Sequence, residues 1–144
     1  MCGIIGFVGT SAAQPLLIQG LERLEYRGYD SAGICLVGDS ALHVTRAVGN
    51  LDNLRDELVR SAEASLTAGI GHTRWATHGA PSSNNAHPHV DASGRIALVH
   101  NGIIENFAEI RDRLTSEGYL FASKTDSEVI VHLIHSYRKE HDLI

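Results

Sequence analysis

The 144 residues are enough for one domain with a sizeable core, and 43% hydrophobic residues suit a folded chain rather than a disordered one. The net charge is −5 and no run of Lys or Arg interrupts it, which argues against nucleic acid or an anionic membrane as main partner. No stretch approaches the roughly 20 apolar residues of a membrane span, no secretory leader pattern opens the chain, and two cysteines, Cys2 and Cys35, suit a reducing cytoplasm.

In chain order, the apolar run from Gly3 to Val8 predicts a buried strand. Ser11 is placed to cap a helix carrying Leu16, Leu17, Leu21 and Leu24, with Gly28 as its stop. The segments Ala32 to Val37 and Ala41 to Val48 flank Gly38-Asp39-Ser40, a hairpin pattern. Leu51, Leu54, Leu58 and Ala62 have helical spacing after Asn50. Ala68 to Thr77 reads as a strand running into a loop, His78 to Ser93, rich in Pro, Asn and Ser. Arg95 to His100 predicts another strand, and Phe107, Ile110 and Leu114 a third helix ended by Gly118. Tyr119 to Ser123 predicts a short last strand. Thr125 and Glu128 match a capping box for a final helix with Val129, Ile130, Leu133, Ile134 and Tyr137, ending in a charged tail from Arg138 to Asp142. The hairpin implies antiparallel pairing, so the elements predict α+β layers.

Cys2 directly follows Met1. Removal of Met1 would leave the cysteine with a free α-amine, whose ordinary pKa of about 8 lies close to a thiol's, about 8.5. Nucleophile and general base would then sit in one residue, with Gly3 leaving room for a substrate. Taken alone, the Cys-Gly pair could equally begin an ordinary core strand. Asn101-Gly102 offers an amide and an unhindered N–H at a strand end, a pattern also common in simple turns. The nine histidines show no carboxylate or cysteine cluster at zinc-ligand spacing, so no metal is expected. Cys35, between Ile34 and Leu36, reads as a buried inert thiol.

Met1-Cys2-Gly3-Ile4-Ile5-Gly6 resembles the opening of the class II glutamine amidotransferases, which are N-terminal-nucleophile hydrolases. Leu24 to Gly33 (LEYRGYDSAG), Gly71 to Gly79 (GHTRWATHG), Asn85 to His89 (NAHPH), Val99 to Asn106 (VHNGIIEN) and Thr125 to Glu128 (TDSE) resemble the glucosamine-6-phosphate synthase branch of that family, in order and over nearly the whole chain. The resemblance implies a four-layer αββα sandwich. It implies that residues 1–144 are a glutaminase domain that continues past this chain, followed by a sugar-phosphate isomerase part. The reaction it implies is hydrolysis of L-glutamine through a γ-glutamyl thioester on Cys2, without a cofactor. The ammonia would convert fructose 6-phosphate to glucosamine 6-phosphate in a cytoplasmic enzyme that forms homo-oligomers. Asn101 and Gly102 would be the oxyanion hole. Arg74 would grip the substrate α-carboxylate and Asp126 its ammonium, where Asp126 could also simply begin a helix. Trp75 would belong to a loop shielding the substrate or else be a core aromatic. Thr77 and His78 would line the pocket, and Arg27 would approach the nucleophile. An amidotransferase with another acceptor, or a silent glutamine-binding domain, would share much of this pattern.

Overall fold

The computed structural model describes residues 2–59 and 65–141, and the backbone alone for Arg27. The first apolar run forms β1, Gly3–Val8. Strand periodicity turns Ile5 and Phe7 onto the core and leaves Ile4 and Val8 exposed. It is thus a half-buried edge strand, not the buried one its composition suggested. Helix α1, Ala13–Leu24, buries Ala13, Leu17, Ile18 and Leu21 along one stripe. Ser11 does not cap it: Ala12 is the capping residue, and the N–H of Ala13 donates to the Leu66 carbonyl at 2.7 Å. A short 3-10 turn, Glu25–Arg27, carries the chain to Gly28, whose φ of +70° makes the stop a glycine position.

The expected hairpin is observed as β2, Ser31–Val37, and β3, Leu42–Val48, closed by the Gly38 N–H donating to Ala41 O at 3.0 Å. Helix α2, Leu51–Leu58, starts at Asn50, whose side chain accepts from the Asn53 N–H at 3.2 Å. Ala62 lies outside the described residues. Strand β4, Ala68–Arg74, completes an antiparallel sheet in the order β1-β4-β2-β3.

A second sheet pairs β5, His89–Val90, with β6, Ala97–Leu98. The first lies inside the stretch expected to be loop, and the second is shorter than expected. Helix α3, Phe107–Ser116, ends as predicted at Gly118, φ +94°. The strand expected at Tyr119 to Ser123 does not form. The N–H groups of Ala122 and Ser123 donate instead to the Glu128 carboxylate, at 2.8 and 2.7 Å. That use of Glu128 also replaces the capping box, and the Thr125 hydroxyl meets His89 Nε2 at 2.9 Å. Helix α4, Glu128–Glu140, buries Val129, Val131 and His132, whereas Ile134 and Tyr137 are exposed. The final residue of the expected charged tail, Asp142, lies outside the described residues.

Helices α1 and α2 cover one face of the four-stranded sheet around Leu17, Leu21, Ile34, Leu36, Leu51 and Leu54. The other face takes β5 and β6, on which α4 packs, with α3 against α4. The layers are therefore α, β, β, α, as the resemblance implied. Strand β2 is buried toward both sides because Ala32, Ile34 and Leu36 enter the helix-side core while Gly33 faces the second sheet. There a Cβ on Gly33 would collide with the His87 carbonyl, so only glycine lets the two layers approach this closely.

Candidate active site

Antiparallel pairing sets Gly3 opposite Thr73. Gly3 faces the helix layer, where a Cβ would stand 2.8 Å from both Leu24 and the Thr73 hydroxyl. Its N–H donates to Thr73 Oγ1 at 3.0 Å. Side chains one step away therefore point between the sheets: Cys2 from the residue just before β1, and His72 and Arg74 from β4. The half-buried Cys2 accepts the Trp75 N–H at its sulfur, 3.2 Å away. Together with the end of β6 and the start of α4 they enclose a cavity of about 210 Å³. Cys2, Arg74, Trp75, Thr77, Asn101, Gly102 and Asp126, all singled out from the sequence, line it.

Asn101 Nδ2 donates to the Cys2 carbonyl at 3.2 Å, which ties the β6 end to the start of β1. Arg74 is 4% exposed. Its Nη2 donates to the carbonyls of His78 and Gly79, the latter at 2.9 Å. Its buried Nη1 has no hydrogen-bond partner among the described residues, and Asp30 Oδ1 stands 4.0 Å away. A buried guanidinium with an unspent N–H in a cavity is suited to an incoming carboxylate. Across the cavity, Asp126 is 3% exposed and accepts the Ile104 N–H at Oδ2, 2.7 Å. One ring of polar groups thus carries a cation and an anion at fixed places.

One expected residue stands differently. His78 is not among the cavity-lining residues; its ring packs on Phe107 at 5.3 Å, and its carbonyl holds Arg74. Trp75 is no core aromatic: it is 54% exposed and lies over Gly28 at the cavity rim. The Arg27 side chain lies outside the described residues.

Sequence reasoning missed the histidine floor. His72, His87 and His100 line the cavity together with Thr125 and Ser127. The His72 and His87 rings stack at 4.2 Å, and His87 lies 4.4 Å from His89. Burial holds His72 down to about 4, helped by the neighbouring His89, Arg74 and His100, although its bond to the His100 carbonyl opposes this. Burial and the adjacent His72, His89 and Arg74 hold His87 lower still. Their only sequence signal was the recurrence of His in two loop-flanking motifs, which fits many solvated histidines equally well.

A pH dependence follows. Unfolded, His72 regains a pKa of about 6.5, so the unfolded chain binds the extra proton first as pH falls. The contribution is complete above about pH 7 and is lost between the unfolded and folded pKa values. At pH 5, His72 alone should cost about 2 kcal/mol of stability. Urea titrations at pH 7.5 and 5 should show the loss, and His72→Gln should reduce it.

Comparisons with known proteins give the family of the chain. The family profile of the glutamine amidotransferase domain matches residues 56–141, a stretch that holds Arg74, Asn101 and Asp126. The chain belongs to the glutamine amidotransferase domain family. It is 58% identical, over its full length, to the glutamine–fructose-6-phosphate aminotransferase [isomerizing] of Gloeobacter violaceus, of which it covers 24%. It is 53% identical over 141 residues to the enzyme of that name from Clostridium tetani, covering 96% of this chain and 23% of the relative. The chain spans about a quarter of the length of these relatives. Among solved structures, the B. subtilis glutamine phosphoribosylpyrophosphate amidotransferase complexed with ADP and GMP superposes with a TM-score of 0.73 at 26% identity. That match covers 94% of this chain and 29% of the other.

Proposed function

We propose that this domain hydrolyses L-glutamine to L-glutamate and ammonia through a γ-glutamyl thioester on Cys2. The observation that carries the proposal is the joint lining of one cavity by Cys2, by Arg74, whose buried Nη1 has no hydrogen-bond partner among the described residues, and by the buried Asp126. A γ-amide bound with its α-carboxylate on Arg74 and its α-ammonium on Asp126 presents its carbonyl toward Cys2. With Met1 removed, the Cys2 amine takes the thiol proton, and sulfur attacks the amide carbon. The oxyanion receives an N–H of Asn101, which has a second amide hydrogen beyond the one donated to Cys2 O, and the N–H of Gly102. Collapse breaks the C–N bond, the amine returns the proton, and ammonia leaves. Water then cleaves the thioester to glutamate and regenerates the thiol.

In the longer protein, which the relatives' names support, the ammonia is delivered to fructose 6-phosphate to give glucosamine 6-phosphate, by a sugar-phosphate isomerase part following this domain. We assign that protein to the cytoplasm and to a homo-oligomer. Among the described residues no helix is long and apolar enough to cross a membrane. The test is simultaneous detection of glutamate, ammonia and amino sugar. A correctly processed domain should release free ammonia at a rate indifferent to fructose 6-phosphate. The full-length protein should form amino sugar and hydrolyse glutamine faster when the sugar phosphate is present. Glutamate release with amination of a different acceptor would overturn the acceptor assignment.

Arg74→Ala should lower kcat/KM for glutamine about 100-fold, chiefly through KM, because a charged hydrogen bond to a buried carboxylate is lost. A γ-glutamyl amide lacking the α-carboxylate should be a poor substrate for the parent and lose little further in the variant. Steady-state kinetics with both substrates separates this loss from damage to the His78-Gly79 loop, which would affect the two equally.

A further inference from the structure

The backbone of His100, just past the end of β6, is gripped at both its polar groups by two imidazoles. The His100 N–H donates to His87 Nδ1 at 3.3 Å. The His100 carbonyl meets His72 Nε2 at 3.1 Å. A carbonyl only accepts and an amide N–H only donates, so His72 carries its hydrogen on Nε2 and His87 keeps Nδ1 bare. The two rings stack nearly parallel, 17° apart, as neutral rings can. The ring of His100 is fixed as well, with Nδ1 2.9 Å from Ser127 Oγ. Its far edge occupies the space where a Cβ of Gly102 would stand, 2.8 Å from Nε2. Both backbone polar groups of the residue immediately before Asn101 are thus held by side chains from β4 and from the start of β5's loop. Neither ring contact is needed to close the hydrophobic core, which lies on the opposite face of the sheet.

We propose that His72 and His87 act as a pair of positioning residues that clamp the His100 peptide and thereby aim Asn101 and Gly102 at the developing oxyanion. The proposal rests on the oxyanion reading of Asn101 and Gly102 given above. Neither imidazole transfers a proton; His72 supplies a donor and His87 an acceptor, and both act through the backbone. A displacement of about 1 Å in groups that stabilise a transition state costs on the order of 100-fold in rate, so an unclamped peptide shows in kcat.

The chemistry permits a paired test in the full-length, processed protein. Asparagine places its oxygen near a histidine Nδ1, and glutamine places its amide nitrogen near Nε2. His87→Asn should therefore keep the acceptor and near-parent kcat, whereas His87→Gln should lower kcat about 10- to 100-fold with KM for glutamine unchanged. At position 72 the order reverses: His72→Gln should keep kcat and His72→Asn should lose it. A merely structural role predicts no such crossover. Equal kcat in the two variants at either position, or losses that appear in KM, overturns the clamp. Where circular dichroism shows that a loss variant does not fold, its conservative partner decides: folded with parent kcat it supports the clamp, and unfolded or inactive it overturns it. Asn101→Ala, run alongside, separates the two ideas. If that variant keeps parent kcat, the oxyanion reading fails; if it is slow and the histidine pairs show no crossover, only the clamp fails.

Discussion

Cys2→Ala is expected to abolish glutamine hydrolysis, a loss of about a millionfold in kcat, with glutamine still bound. Removing a nucleophile from an enzyme that works through a covalent acyl intermediate costs that order of rate. The proposed binding groups, Arg74 and Asp126, come from β4 and the segment just before α4 and do not depend on the sulfur for their positions. Retention of Met1 should be nearly as damaging, since it converts the amine of Cys2 into an amide and removes the base. Aminopeptidase treatment should restore turnover, and equal glutamate release before and after treatment would refute the amine as base. A glutamine-like electrophile should label Cys2 alone. Cys35 is 1% exposed, and burial pushes its thiol up to about 11, so it offers neither access nor thiolate. Peptide mapping after labelling reads this directly.

Asn101→Ala should reduce kcat about 100- to 1000-fold while KM for glutamine stays within a few-fold of the parent. Donors aimed at an oxyanion act mainly in the transition state, and removal of one has costs of this size. The structure adds a second consequence, because Asn101 also bonds the Cys2 carbonyl. Asn101→Asp keeps the shape, loses the donor and sets a negative charge beside the reaction centre, so it should be slower than the alanine variant. Pre-steady-state measurement of thioester formation would localise both defects to acylation. A variant with unchanged kcat and raised KM would assign Asn101 to substrate binding instead.

The residues legible in the sequence were those whose chemistry is local. Cys2 with its own amine and Asn101 with Gly102 each state a capability in one or two positions, whereas the pocket places of Arg74 and Asp126 came only from the family resemblance. The hairpin at Gly38 and the caps at Asn50 and Gly118 were legible for the same reason. What was hidden depends on distant chain. Glu128 gives its carboxylate to Ala122 and Ser123, which suppresses both the expected strand and the expected capping box. His72 and His87 are 15 positions apart, and only the approach of the two sheets over Gly33 stacks them. Trp75 could not be assigned to core or rim, because apolar bulk says nothing about which side of a layer it reaches. The Ser11 cap failed where a backbone carbonyl, Leu66, was available for the same N–H.

The pairing of Gly3 with Thr73 places a constraint on how this chain can change over time. Strand β1 is short and among the described residues lies at an edge and meets only β4, so many substitutions at its exposed positions should be tolerated. Insertion or deletion is another matter. Shifting β1 by one residue would turn Cys2 toward the helix layer and Gly3 toward the cavity, since strand side chains alternate faces. The fold could survive such a slip with its other strands intact, yet it would lack a nucleophile. Descendants of this sequence should therefore vary at the exposed positions of β1, Ile4 and Val8, while keeping fixed the count of residues between Cys2 and the turn into α1.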